Sequence, residues 1–199
     1  MPLIVLDPGH GQFGNKHTTA EGFYEGTQNF KLAMMLSELL RKKGFEVVST
    51  RERVEDDPEL EERGQLAGRL GADMFISIHS NAPGASNPNY SAVRGAEVFY
   101  SVSDHDANAE LALIINRAVV EAMGTLDRGI KTRRYPGAEH LDYYSVVRNA
   151  ALSGCKRAFL IEHGFHTNPE DSAVLQSDEG LYRIALAECE ALCKIFNIE

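Results

Sequence analysis

A chain of 199 residues, 43% apolar and 25% charged, has the composition of one ordinary globular domain with a substantial core. Its net charge of −9 excludes nucleic acid as a natural partner and gives no attraction to an anionic surface. Three cysteines (Cys155, Cys189 and Cys193) are too few, and odd in number, for a disulfide framework, and no apolar run is long enough to span a membrane.

Taken in chain order, Leu3–Asp7 predicts a buried strand starting too early to leave room for a signal peptide. The expectation is a protein that is extracellular if trimmed, or made in the cytoplasm and released by lysis. Thr27–Lys43 predicts a helix capped by Thr27, with Leu32, Met35, Leu36 and Leu39 on one stripe and Gly44 at its left-handed end. Phe45–Thr50 predicts a second strand. Asp57-Pro58 opens a helix with Pro58 at its first position, and Gly71 closes it. "ADMFISIHS" is apolar on both faces, as in the middle of a helix-covered sheet. A turn-rich loop leads to a fourth strand, "GAEVFYSV", and then to a helix capped by Asp104 or Asp106 that reaches Met123. The segment "DRGIKTRRYPGAEH" reads as polar and basic, and "YYSVV" as a short strand. "RAFLIEHG" is another buried strand, Asn168-Pro169 caps a short helix, and a last helix covers about Ser177 to Phe196. Cys189 and Cys193, one helical turn apart, read as packed thiols. Alternating strands and helices predict an α/β fold: a single domain over 1–199, with a largely parallel, twisted sheet of about six strands and helices on both faces.

In such sheets, sites form beyond the carboxyl ends of the strands. His10 follows the first strand between two glycines, His79 ends the third, and Glu162 ends "AFLIE". Glu25 lies near the entry to the first helix. Two imidazoles and a carboxylate suit a divalent ion with a position left open for water, and a further carboxylate can take a proton from that water. Singly, each residue has a plainer reading: a turn histidine, a satisfied histidine at a strand end, a solvated loop glutamate. Glu162 resists it, because a carboxylate ending a buried strand needs a partner or a task. His163 follows Glu162 directly and therefore points to the opposite face. His166 is a second decoy. His17, His105 and His140 lie in polar segments, and His140, beside Arg133-Arg134, is a candidate for lining a substrate groove. Arg128–Arg134 reads either as a contact for acidic groups or as a solvated loop.

Five ordered motifs, "IVLDPGHG", "EGTQNFKLAMMLSELLRKKGFEVVSTR", "LEERGQLAGRLGADMFISIHSNA", "RGAEVFY" and "FLIEHGFHTNPED", resemble the zinc-dependent N-acetylmuramoyl-L-alanine amidases of bacterial autolysins and phage endolysins, from about residue 3 to 195. The resemblance implies one zinc ion per chain on His10, Glu25 and His79. It prefers Glu25 to Glu21, because asparagine follows the family's glutamate four places later, here Asn29. It implies that Glu162 is the catalytic acid and base, and that a water activated by the ion attacks the amide between N-acetylmuramic acid and L-alanine of peptidoglycan. Many relatives have a leucine or similar residue where this chain has His163. No cell-wall-binding repeats are visible, which leaves room for a separate targeting domain or an activator. Two rival readings keep part of this: a zinc endopeptidase cutting within the stem peptide, and a catalytically silent module binding wall peptide. Phosphate binding by "DPGHGQFG" fails for want of Walker spacing and a following Lys-Ser or Lys-Thr pair.

Overall fold

The computed structural model describes residues 1–15, 23–84, 86–87 and 89–199; His17 and Glu21 lie outside the described residues. The elements are β1 (Leu3–Pro8), α1 (Glu25–Lys42), β2 (Glu46–Ser49), α2 (Leu60–Leu70), β3 (Met74–Asn81), β4 (Ala96–Tyr100), α3 (His105–Met123), β5 (Asp127–Lys131), β6 (Arg134–Tyr135), β7 (Ala138–Asp142), α4 (Ser145–Leu152), β8 (Ala158–Phe165), α5 (Pro169–Gln176) and α6 (Asp178–Phe196). Six strands form one sheet in the order β2-β1-β3-β8-β4-β5, as the α/β reading expects. The first four run parallel, and β4 is antiparallel to β8 but parallel to β5. No helix among the described residues is long and apolar enough to cross a membrane.

Alternation along the strands divides the core in two. Ile4, Leu6, Met74, Ile76, Phe159 and Ile161 face α1, α3 and α6. Val5, Phe75, Ala158 and Leu160 face α2 and α4, through Ala67, Val146, Val147 and Ala150. A central strand covered on both faces must be apolar at every position, so the polar residues ending β1, β3 and β8 stand out. They fall at one edge because these three strands are parallel neighbours.

Four local expectations need correction. α1 begins at Glu25, and Thr27 does not cap it; its hydroxyl donates instead to the Gln12 carbonyl at 2.7 Å. Pro58 lies ahead of α2, whose cap is Glu59. "YYSVV" is not a strand: its valines open α4, where helical spacing with Ala150 buries them. A short apolar run does not by itself distinguish the two periods. "DRGIKTRRYPGAEH" holds β5 and a two-stranded hairpin, β6–β7, which turns at Pro136-Gly137 with Gly137 at φ 80°. Gly71 does close α2 in the left-handed conformation, and Asn168 caps α5 by accepting from the amides of Glu170 and Asp171.

Candidate metal centre

Asp7, at the end of β1, is buried and accepts from Ser77 Oγ (2.6 Å), Thr50 Oγ1 (2.7 Å) and Arg63 Nη1 (3.1 Å). This anchor fixes the turn that follows. Gly9 comes next, and a Cβ there would lie 2.2 Å from Cε1 of the His79 ring, so only glycine lets the turn pass so close to β3. His10 then adopts φ 60°, a left-handed conformation uncommon for a residue with a side chain. The strain turns its ring inward, edge-on to His79 with centroids 5.0 Å apart.

Glu25 starts α1, where the helix dipole favours a negative charge, and its carboxylate is fully buried. Oε1 accepts from the Ser80 amide (3.0 Å) and Asn29 Nδ2 (3.3 Å) and lies 3.0 Å from His79 Nδ1. Oε2 accepts from Asn15 Nδ2 (2.8 Å) and lies 3.3 Å from His10 Nε2. One donor atom from each of His10, Glu25 and His79 lies within 4.8 Å of the others, and no other such trio occurs among the described residues. Burial would raise the Glu25 pKa, but the hydrogen bond and charge of His79, aided by His10, hold it near 2. Burial would lower His79, yet its bond to Glu25 and that charge lift it to about 9. His10 is pushed down, chiefly by burial.

Glu162 on β8 pairs in register with His79. Its Oε2 is buried with no hydrogen-bond partner among the described residues. Burial first, then the carboxylates of Glu25 and Glu97, raise its pKa to about 7 against the opposing pull of His79. The four groups open into one cavity of about 580 Å³, with Asp57 and Tyr144 in its walls.

Residues 4–194 match the N-acetylmuramoyl-L-alanine amidase family. The chain belongs to that family. It is 30% identical to the N-acetylmuramoyl-L-alanine amidase LytC of Bacillus subtilis over 174 residues, 87% of this chain but 31% of LytC. It is 27% identical to the endolysin of Bacillus phage SPP1, covering 99% of this chain and 67% of the endolysin. The catalytic domain of CwlV, an N-acetylmuramoyl-L-alanine amidase of Bacillus (Paenibacillus) polymyxa var. colistinus, superposes with a TM-score of 0.82 at 28% identity over the whole of both chains. The chain therefore spans less than a third of LytC, and belongs to a family of hydrolases.

In this amidase-family fold the other histidines sort themselves. His163 points away from Glu162, as its position in the strand requires; it is buried and lies 3.1 Å from Glu188 Oε1. His166 is buried beneath the site, stacked on Phe23 with its Nδ1 2.9 Å from Ser80 Oγ. His105 pairs with Asp106 at the start of α3, and His140 is exposed on β7 away from the cavity lining. The basic run is divided. Arg128 Nε (2.9 Å) and Lys131 both contact the buried Glu97, whereas Arg133 stacks 3.5 Å over the Tyr143 ring. Sequence reasoning missed Asp7, Asn15, Ser80 and Glu97. Asp7 and Glu97 carried a signal, each a charged residue in a buried strand; Asn15 and Ser80 carried none.

Proposed function

We propose that this chain is the catalytic domain of a zinc-dependent peptidoglycan hydrolase that cuts the amide between the lactyl group of N-acetylmuramic acid and L-alanine. The observation carrying this reading is the meeting of His10, Glu25 and His79 beside a buried carboxylate oxygen, Glu162 Oε2, that has no hydrogen-bond partner among the described residues. Two imidazoles and a carboxylate kept ionised are a suitable donor set for one zinc ion, and three protein ligands leave a position for substrate chemistry. When bound, zinc supplies a Lewis acid that polarises the amide carbonyl and makes water acidic enough to act as nucleophile near neutral pH.

The chain's own groups do the rest. Asn15, Asn29 and the Ser80 amide hold Glu25 in one orientation. Glu162, with a pKa near 7, takes the proton of the attacking water and delivers it to the departing L-alanine nitrogen. On this reading the cavity beside these groups takes the substrate, the place of action is the cell wall and the partner is peptidoglycan, reached alone or with a targeting domain or activator.

The test is a digest of purified peptidoglycan with and without a chelator, scoring new L-alanine amino groups against other new amines. New L-alanine ends that vanish with chelator and return with zinc support the proposal. New amines within the stem peptide would instead mark an endopeptidase on the same metal centre. Binding without release of any amine would mark a silent module.

A further inference from the structure

Between β3 and β8 the pairing passes from His79 opposite Glu162 to Asn81 opposite Phe165, so β8 carries one extra residue. Gly164 takes up this bulge at φ 145°, where a side chain would be strained. The bulge leaves His163 pointing into the layer beneath α6. There it is 1% exposed, with Nδ1 3.0 Å from the His79 carbonyl and Nε2 3.1 Å from Glu188 Oε1. A carbonyl only accepts, so Nδ1 carries a hydrogen and donates. A carboxylate also accepts, so Nε2 and Glu188 share a second proton as a buried ion pair.

The peptide group joining His79 to Ser80 is thereby held at both ends. Its C=O accepts from His163, and its N–H donates to Glu25 Oε1 at 3.0 Å. One hydrogen-bonded chain runs from Glu188 on α6, through the His163 ring and this peptide, to Glu25. Links in such a chain polarise one another. A buried ion pair is a weak source of stability, since its apolar replacement is often neutral or stabilising, and Glu188 Oε2 is itself buried with no partner among the described residues.

We propose that Glu188 and His163 are positioning residues, which fix the 79–80 peptide and so set His79 and Glu25 in the arrangement that zinc requires. This rests on the reading of His79 and Glu25 as zinc ligands. Groups that orient metal ligands from behind typically affect metal affinity by about 10–100-fold, and a similar loss is expected here.

The experiment measures zinc affinity by competition with a chelator, the visible spectrum of the cobalt-substituted protein, and the melting temperature of the metal-free protein. The variant His163→Leu with Glu188→Leu removes the chain without leaving a buried charge. It is expected to melt no lower than the natural protein, yet to bind zinc about tenfold or more weakly with a changed cobalt spectrum. His163→Asn with Glu188→Leu restores a donor to the His79 carbonyl and is expected to recover much of the affinity. Glu188→Gln, the isosteric change, supplies the same comparison should the double leucine variant misfold, and is expected to weaken zinc binding to a smaller degree. Unchanged affinity and spectrum in the leucine variant, or in Glu188→Gln where that variant misfolds, overturn the positioning role and leave the metal centre standing. A natural protein whose zinc affinity is insensitive to His79→Ala overturns the metal-centre reading, and this inference with it.

Discussion

Glu97 and Glu162 face each other across the antiparallel pairing of β4 with β8, and only Glu97 is neutralised. Arg128, Lys131 and Asn81 Nδ2 (3.0 Å) surround Glu97, whereas Glu162 Oε2 has no hydrogen-bond partner among the described residues. One carboxylate is held between cations, and the other, lifted to a pKa of about 7 chiefly by burial, is left to exchange a proton.

This asymmetry has a cost in stability that Glu162→Gln is expected to reveal. The folded-state pKa of Glu162 is raised from 4.5 to about 7, so this group costs stability progressively as pH rises from about 4.5 to about 7, and the full cost stands above that. A unit of pKa is about 1.4 kcal/mol, and with the side chain opening on the cavity we expect a gain of about 1–2 kcal/mol for the neutral variant at pH 8. Its melting temperature should rise by about 2–8 °C at pH 8 and by much less at pH 5. Amidase activity should be lost with zinc still bound. Near-normal turnover by the variant would remove Glu162 from the mechanism.

Glu97→Gln should shift the pH profile in a set direction. The Glu97 charge helps to raise Glu162, so removing it lowers the pKa of Glu162. A general base must be ionised to work, so the acidic limb of kcat/KM is expected to move to lower pH. An unmoved or upward-moved limb would show that the two carboxylates do not communicate.

Without metal, His79 holds a proton up to about pH 9, and zinc requires the neutral imidazole. Zinc binding at His79 would therefore expel a proton, and the apparent affinity should then rise about tenfold per pH unit from neutrality to about 9. The same raised pKa stabilises the metal-free fold below 6.5 and is lost as pH rises through about 9. The melting temperature of chelator-treated protein should thus fall over that window, while that of zinc-loaded protein should not. A pH-independent zinc affinity would mean that His79 is not displaced from its proton, and so is not a ligand.

Much of the meeting of these side chains was legible in the residues. His79 and Glu162 each end an apolar run and His10 follows one closely, and parallel neighbours bring such ends together. Glu25 was not legible from pattern, since a glutamate near a helix start has no distinguishing neighbour; the spacing to Asn29 singled it out through a family resemblance. The structure then gives that spacing a cause, because residues four apart on a helix share a face and Asn29 donates to Glu25. What stayed hidden depends on irregular backbone. Strand alternation set the direction of His163 but not its bond to the His79 carbonyl, because the bulge at Gly164 beside it has no periodic signature, and the turn of residues 9–15 that carries Asn15 has none either. The β6–β7 hairpin was concealed by exposed polar side chains, although Pro136-Gly137 is a recognisable turn pair.

The histidine between two glycines that ends the first strand supplies the last prediction. Gly9 is not needed for backbone conformation, because it is absent from the positive-φ glycines; it is needed for space. An added Cβ would lie 2.2 Å from Cε1 and 2.3 Å from Nε2 of His79. Gly9→Ala therefore leaves β1 and its Asp7 anchor intact but displaces the His79 ring from Glu25. Overpacking of this kind costs about 1–3 kcal/mol, so the fold is expected to persist with a melting temperature lowered by about 2–12 °C. Zinc content after dialysis should drop well below one per chain, and activity should fall with it. Zinc retained at one per chain with normal turnover would show that the ring can move without consequence, and that the closeness of Gly9 to His79 has no part in the metal centre.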